Sequence, residues 1–105
     1  MPLSTAQHPL LERLLRLVEW LYAETADYAE HPEQEQLWYN RGYANGMLQA
    51  LRELGYADAI AGRIAADAVD PVADCAALGW GRAYRHGEET GGRETREVLP
   101  ARCAD

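Results

Sequence analysis

A chain of 105 residues with a formal net charge of −7 is long enough for one domain with a modest core. That charge excludes a general nucleic-acid binder, which needs a basic face to displace counterions. Two cysteines, Cys75 and Cys103, are too few and too widely spaced for a disulfide scaffold or a metal site. No stretch approaches the roughly 18 apolar residues that would cross a membrane. The composition therefore predicts a protein of a reducing cytoplasm, without membrane contact.

Residues 1–8 read as an N-terminal tail. The first helix is predicted from Pro9 to Glu30. Leu10, Leu11, Leu14, Leu15, Leu17, Val18, Leu21 and Tyr22 form a wide apolar face, while Glu12, Arg13, Arg16 and Glu19 lie mainly outside it. A face this wide suits both an internal core and a second copy of the chain, so a homodimer through this helix is expected. A proline follows His8, His31 and Asp70, and acid follows each proline. Proline at the first helical position and acid at the positive end of the helix dipole both mark a helix start.

On that signal a second helix is predicted from Pro32 to Leu54, stopped by Gly55. A third, from Ala57 to Val69, carries Ile60 and Ile64 one turn apart. A fourth runs from Pro71 to about Thr90, where Gly91-Gly92 is expected to break or fray it. Residues 91–105 read as a partly ordered C-terminal tail around a domain of residues 9–90. No stretch shows the alternation of a strand. The fold class is all-α: four helices in two unequal hairpins.

The strongest internal pattern is a repeated phrase. Leu37-Trp38-Tyr39-Asn40-Arg41-Gly42-Tyr43-Ala44-Asn45-Gly46 is answered by Leu78-Gly79-Trp80-Gly81-Arg82-Ala83-Tyr84-Arg85-His86-Gly87. Arg52-Glu53 and Arg93-Glu94 extend the match. Repetition at one offset points to a duplicated helical unit. On helices, Gly42, Gly46 and Ala50 form one ridge of small residues, and Gly79, Ala83, Gly87 and Gly91 form another. Ala57, Ala61 and Ala65 form a third. Each mid-helix glycine costs about 1 kcal/mol against alanine. The compensation expected is tight helix packing, with Tyr39, Tyr43, Trp80 and Tyr84 lying across the ridges.

The same phrase supplies the candidate binding residues. Arg41, Tyr43 and Asn45 are matched by Arg82, Tyr84 and His86. An arginine fork, a phenol and an amide or imidazole suit a phosphate or carboxylate, and neighbouring aromatics suit a stacked base. A second candidate surface is acidic. Between Arg16 and Arg41 stand Glu19, Glu24, Asp27, Glu30, Glu33 and Glu35 with no basic residue among them. Glu24, Asp27 and Glu30 are its centre, either as a solvated face or as a mimic of phosphates. The fourth helix carries Arg85, Glu88 and Glu89 where the second has Ala44, Met47 and Leu48, so its outer face is either solvated or a partner contact.

Nothing suggests an enzyme. Phosphate-loop, dinucleotide, zinc-protease and nucleophile-elbow motifs are missing. Ser4 is the only serine, and Cys75 has no histidine near it in sequence. Asp27 and His31 share a spacing of four but lack a second pair for a metal. No catalytic residue, metal or cofactor is expected.

The phrase Tyr39-x-Arg41-Gly42-Tyr43-x-x-Gly46 resembles one in short uncharacterised helical proteins of actinobacterial phages and mobile elements. All ten basic residues are arginine, lysine and phenylalanine are absent, and alanine occurs 18 times, which fits coding by a GC-rich genome. The resemblance covers about ten residues in each copy and implies a small accessory protein that blocks a host defence by binding it; it carries over no catalytic residue. The leading expectation is thus a non-enzymatic, acidic interaction protein that binds a host protein. One alternative is a small-ligand binder for a phosphorylated or nucleotide-like molecule at the Arg/Tyr/Gly motifs. The other is a structural or assembly module.

Overall fold

A computed structural model of the chain describes residues 7–72 and 77–102, with side chains from Pro9 onward. The described residues contain four α-helices and no strand: α1 (Gln7–Glu24), α2 (Glu35–Glu53), α3 (Ala57–Ile60) and α4 (Gly79–Val98), with a 3-10 turn at Tyr28–Glu30. The molecule is a rod of 47 × 21 × 20 Å. None of these helices is long and apolar enough to cross a membrane.

α1 forms because its apolar residues recur at helical spacing. Leu11, Leu15, Val18 and Leu21 are buried against Ala44, Met47, Leu48 and Leu51 of α2, with Tyr56, Ile60 and Leu99 closing one end of this core. Each such side chain contributes about 1.5–3 kcal/mol by leaving water. A smaller cluster, Trp38, Val72 and Tyr84 with Tyr28 and Trp80 against it, closes the other end.

The ends of the helices differ from the sequence reading in several places. α1 stops at Glu24, short of the expected Glu30, and a 3-10 turn follows. α2 begins at Glu35 rather than Pro32. Here the His31 ring lies 3.2 Å from the Asp27 carboxylate and 3.3 Å from that of Glu33. The His31 carbonyl accepts from the Gln34 N–H at 2.9 Å and from Trp38 Nε1 at 3.2 Å, so this segment is held as a turn. α3 is one turn, not a helix to Val69, because Ala61 is extended (φ −60°, ψ 135°) and Gly62 has φ +80°. The Ala57, Ala61, Ala65 ridge is therefore not a helical one. α4 begins at Gly79 rather than Pro71. The Asp70 Oδ1 accepts from the Val72 N–H at 3.1 Å, a local turn that competes with helix at this site.

Gly55 ends α2 as expected. It has φ +100°, its N–H donates to the Arg52 carbonyl at 3.1 Å, and the Tyr56 N–H donates to that of Leu51 at 2.9 Å. This pair of bonds is the Schellman stop. The break expected at Gly91-Gly92 does not occur; α4 continues to Val98 with both glycines buried. The end of the chain is tied back as well. Leu99 is buried, and the Arg102 N–H donates to the Leu54 carbonyl at 2.7 Å.

Both copies of the repeated phrase lie at helices, one in α2 and one at the start of α4. There the two backbones touch. A Cβ on Gly42 would stand 2.1 Å from the Tyr84 carbonyl oxygen, and one on Gly46 1.9 Å from that of Glu88. In return, a Cβ on Gly87 would stand 2.0 Å from the Tyr39 oxygen, and one on Gly91 2.2 Å from that of Tyr43. The partners advance together along both helices, so α2 and α4 run parallel. Close approach of this kind lets Cα–H groups meet carbonyls across the interface.

Candidate functional site

Asp67, in the irregular segment that follows α3, meets the first copy of the phrase. Arg41 donates from Nε and Nη2 to the two Asp67 oxygens, each at 2.9 Å, a two-point fork. Its third nitrogen reaches the Tyr22 carbonyl at 3.2 Å and Thr25 Oγ1 at 3.1 Å. The guanidinium also lies over the Tyr22 ring, 3.7 Å from its centroid, a favourable cation–π placement.

Asn45 joins the same network. Its amide donates to Asp67 Oδ2 at 2.9 Å and to the Tyr84 hydroxyl at 2.7 Å. Its carbonyl accepts from the Tyr22 hydroxyl, which in turn accepts the Asp67 N–H at 3.0 Å. Hydrogen bonds from Arg41 hold the Asp67 carboxyl below its ordinary range, against the opposing effect of burial. Burial pushes the Tyr22 and Tyr84 phenols upward. No buried side-chain nitrogen or oxygen among the described residues lacks a partner.

Three of the six predicted binding residues, Arg41, Asn45 and Tyr84, are thus brought together, but around a carboxylate of the chain itself. The other three lie elsewhere. The Tyr43 hydroxyl bonds Glu94, and burial followed by that carboxylate pushes its pKa up to about 12. Arg82 is exposed, and its side chain bonds the Ala77 carbonyl. His86 is exposed and meets the Tyr39 ring edge-on at 5.5 Å. Arg82 and His86 line an open cleft of about 330 Å³ with Glu35, Gln36, Tyr39, Gly79 and Ala83. The two triplets do not face one pocket.

Sequence reasoning missed Asp67. The only signal was an isolated acid among small residues, Ala65-Ala66-Asp67-Ala68. An arginine within a helix that buries most of its neighbours requires such a partner.

Charge is distributed unevenly. Arg16 pairs with Glu12, and Arg63 with Glu12 and Glu19. Arg85 pairs with Asp70 and Glu88, Arg96 with Glu53, and Arg102 with Asp58. The acids of the link between α1 and α2 have no arginine. Glu24, Asp27, Glu30, Glu33 and Glu35 are all exposed there. His31, between Asp27 and Glu33, has its pKa raised by the Glu33 carboxylate first and by Asp27.

Among the described residues, no group of three or more His, Cys, Asp or Glu side chains is placed to hold a metal ion. Cys75 and Cys103 lie outside the described residues. No protein-family model, curated protein or solved structure matches the chain.

Proposed function

We propose that the protein is a small, acidic, non-enzymatic interaction protein of phage or mobile-element type, which binds and inhibits a host protein through the acidic link between α1 and α2. One observation carries this reading. Most of the arginines are paired with acids elsewhere in the fold, whereas Glu24, Asp27, Glu30, Glu33 and Glu35, in and beside the link, are exposed and have no arginine partner among the described residues. Such an acidic segment suits a basic surface, including one that normally receives nucleic-acid phosphates. The fit with a cytoplasmic partner rests on the cysteine usage and composition.

The second reading, capture of a phosphorylated ligand by Arg41 and Arg82, has less support. The Arg41 donors are already occupied by Asp67, Thr25 and Tyr22. Arg82 shares its cleft with the Glu35 side chain, which repels an anion.

The test is capture of a partner from an actinobacterial lysate by the intact chain and by an Asp27→Asn, Glu30→Gln, Glu33→Gln variant. The neutral variant is expected to lose the partner, and added salt to weaken its capture by the original chain. A phage restricted by a host defence should plate better on cells making the original chain than on cells making the variant. Capture that survives both neutralisation and salt would remove the acidic-surface mechanism.

A further inference from the structure

α1 carries a second seam that the fold does not use. Arg13, Leu17, Trp20 and Glu24 are spaced 4-3-4, the spacing of a coiled-coil seam. All four are exposed, Leu17 at 37% and Trp20 at 57%. They stand apart from Leu11, Leu15, Val18 and Leu21, which face α2. Val98 of α4, 53% exposed, borders Leu14 and Leu17 in an adjoining apolar groove.

The charges at the two ends of this seam are unspent. Glu12, Arg16 and Glu19 on the same helix all form ion pairs, whereas Arg13 and Glu24 have none among the described residues. Glu24 also sits in the last turn of α1, which contains no basic side chain. A carboxylate there meets the negative end of the helix dipole, so the position gains from a cation supplied from outside.

The order along the seam is basic, apolar, apolar, acidic. Turned end for end, it complements itself. We propose that two copies of the chain pair through α1, antiparallel, about a two-fold axis midway between Leu17 and Trp20. Positions at equal height then sum to the same value, so Arg13 faces the partner's Glu24 and Leu17 faces the partner's Trp20. The axis makes each contact twice. A parallel pairing would set Arg13 on arginine and Glu24 on glutamate, which fixes the direction. This pairing shares Glu24 with the acidic link but does not involve Asp27, Glu30 or Glu33, the three acids neutralised in the capture test.

Sedimentation equilibrium of the purified full chain, from micromolar to millimolar concentration, tests it. The mass is expected to rise towards twice the 11.7 kDa of one chain. Arg13→Glu or Glu24→Arg alone should weaken association about tenfold or more, because each reversal puts two like-charge pairs across the axis. The double variant Arg13→Glu/Glu24→Arg should restore most of it. Trp20→Ser should weaken association without lowering helix content by circular dichroism. The proposal is overturned by a monomer at every concentration. It is equally overturned by a dimer indifferent to both single reversals, or by a folded double variant that stays as weak as the singles. Arg13→Glu and Trp20→Ser leave every acid of the link in place, so their outcomes separate this pairing from capture of a host protein.

Discussion

The two copies of the phrase share a purpose in their glycines and diverge in their polar residues. Gly42 and Gly46 in α2, and Gly87 and Gly91 in α4, each lie under a carbonyl of the other helix. Arg41 and Arg82 occupy equivalent places in the phrase, yet Arg41 is gripped by Asp67 while Arg82 is exposed and turns to the Ala77 carbonyl. The difference lies in what covers each helix. The connection after α3 brings Asp67 over the outer side of α2. The duplicated motif is therefore a device for backbone contact, and only one of its copies was recruited into a buried polar network.

The largest expected effect comes from filling the backbone contact. Gly→Ala in a helix ordinarily gains about 1 kcal/mol, but a Cβ on Gly46 would meet the Glu88 oxygen at 1.9 Å. Gly46→Ala and Gly87→Ala are each expected to cost about 3 kcal/mol, and Gly46→Val to abolish cooperative folding. Thermal melting by circular dichroism decides this; unchanged melting of both alanine variants would show that the helices are not in backbone contact.

Next in size is the contrast between the arginines. Arg41→Ala leaves the Asp67 carboxylate largely covered and is expected to cost about 3 kcal/mol. Arg82→Ala should stay within about 0.5 kcal/mol of the original chain. Urea unfolding of the two variants measures both, and equal losses would erase the asymmetry argued above.

A pH dependence sharpens the same point. The Asp67 carboxyl is lowered in the folded chain by its bonds to Arg41. Its stabilisation is therefore present above the unfolded value, near 3.9, and is lost as pH falls through the lower folded value. Unfolding free energies followed from neutral pH to about pH 3 should fall less steeply for Asp67→Asn than for the original chain. The smallest effect concerns the glutamate beyond the contact. Tyr43, pushed up to about 12 by burial and by Glu94, should ionise at a lower pH in Glu94→Gln, as read by tyrosinate absorbance.

The elements that could be read from the sequence are those whose signal is local. The face of α1 follows from leucine spacing, and the stop at Gly55 follows from its freedom to adopt φ +100°. The ridges of small residues foretold a close helix contact. The misread ends share a cause. Gly91 and Gly92 look like helix breakers, but both are buried where α2 crosses: a Cβ on Gly91 would approach the Tyr43 oxygen to 2.2 Å, and one on Gly92 the Gly46 oxygen to 3.3 Å. Tertiary contact there outweighs the low helix propensity of glycine. Pro32 and Pro71 look like helix starts, but side-chain bonds of His31 and Asp70 make turns of those segments.

The candidate site was only half legible for the same reason. Arg41, Asn45 and Tyr84 stood out by repetition, while Asp67 lies 26 residues from Arg41 in the chain and belongs to no pattern. Periodicity and glycine spacing determined by themselves that this chain is helical, that α1 buries one face, and that two helices meet backbone to backbone. Only the tertiary structure decided which arginine is enclosed and which acids the others pair with. Those outcomes depend on the path of an irregular connection, and such a path is set by contacts between residues distant in the chain rather than by any local preference.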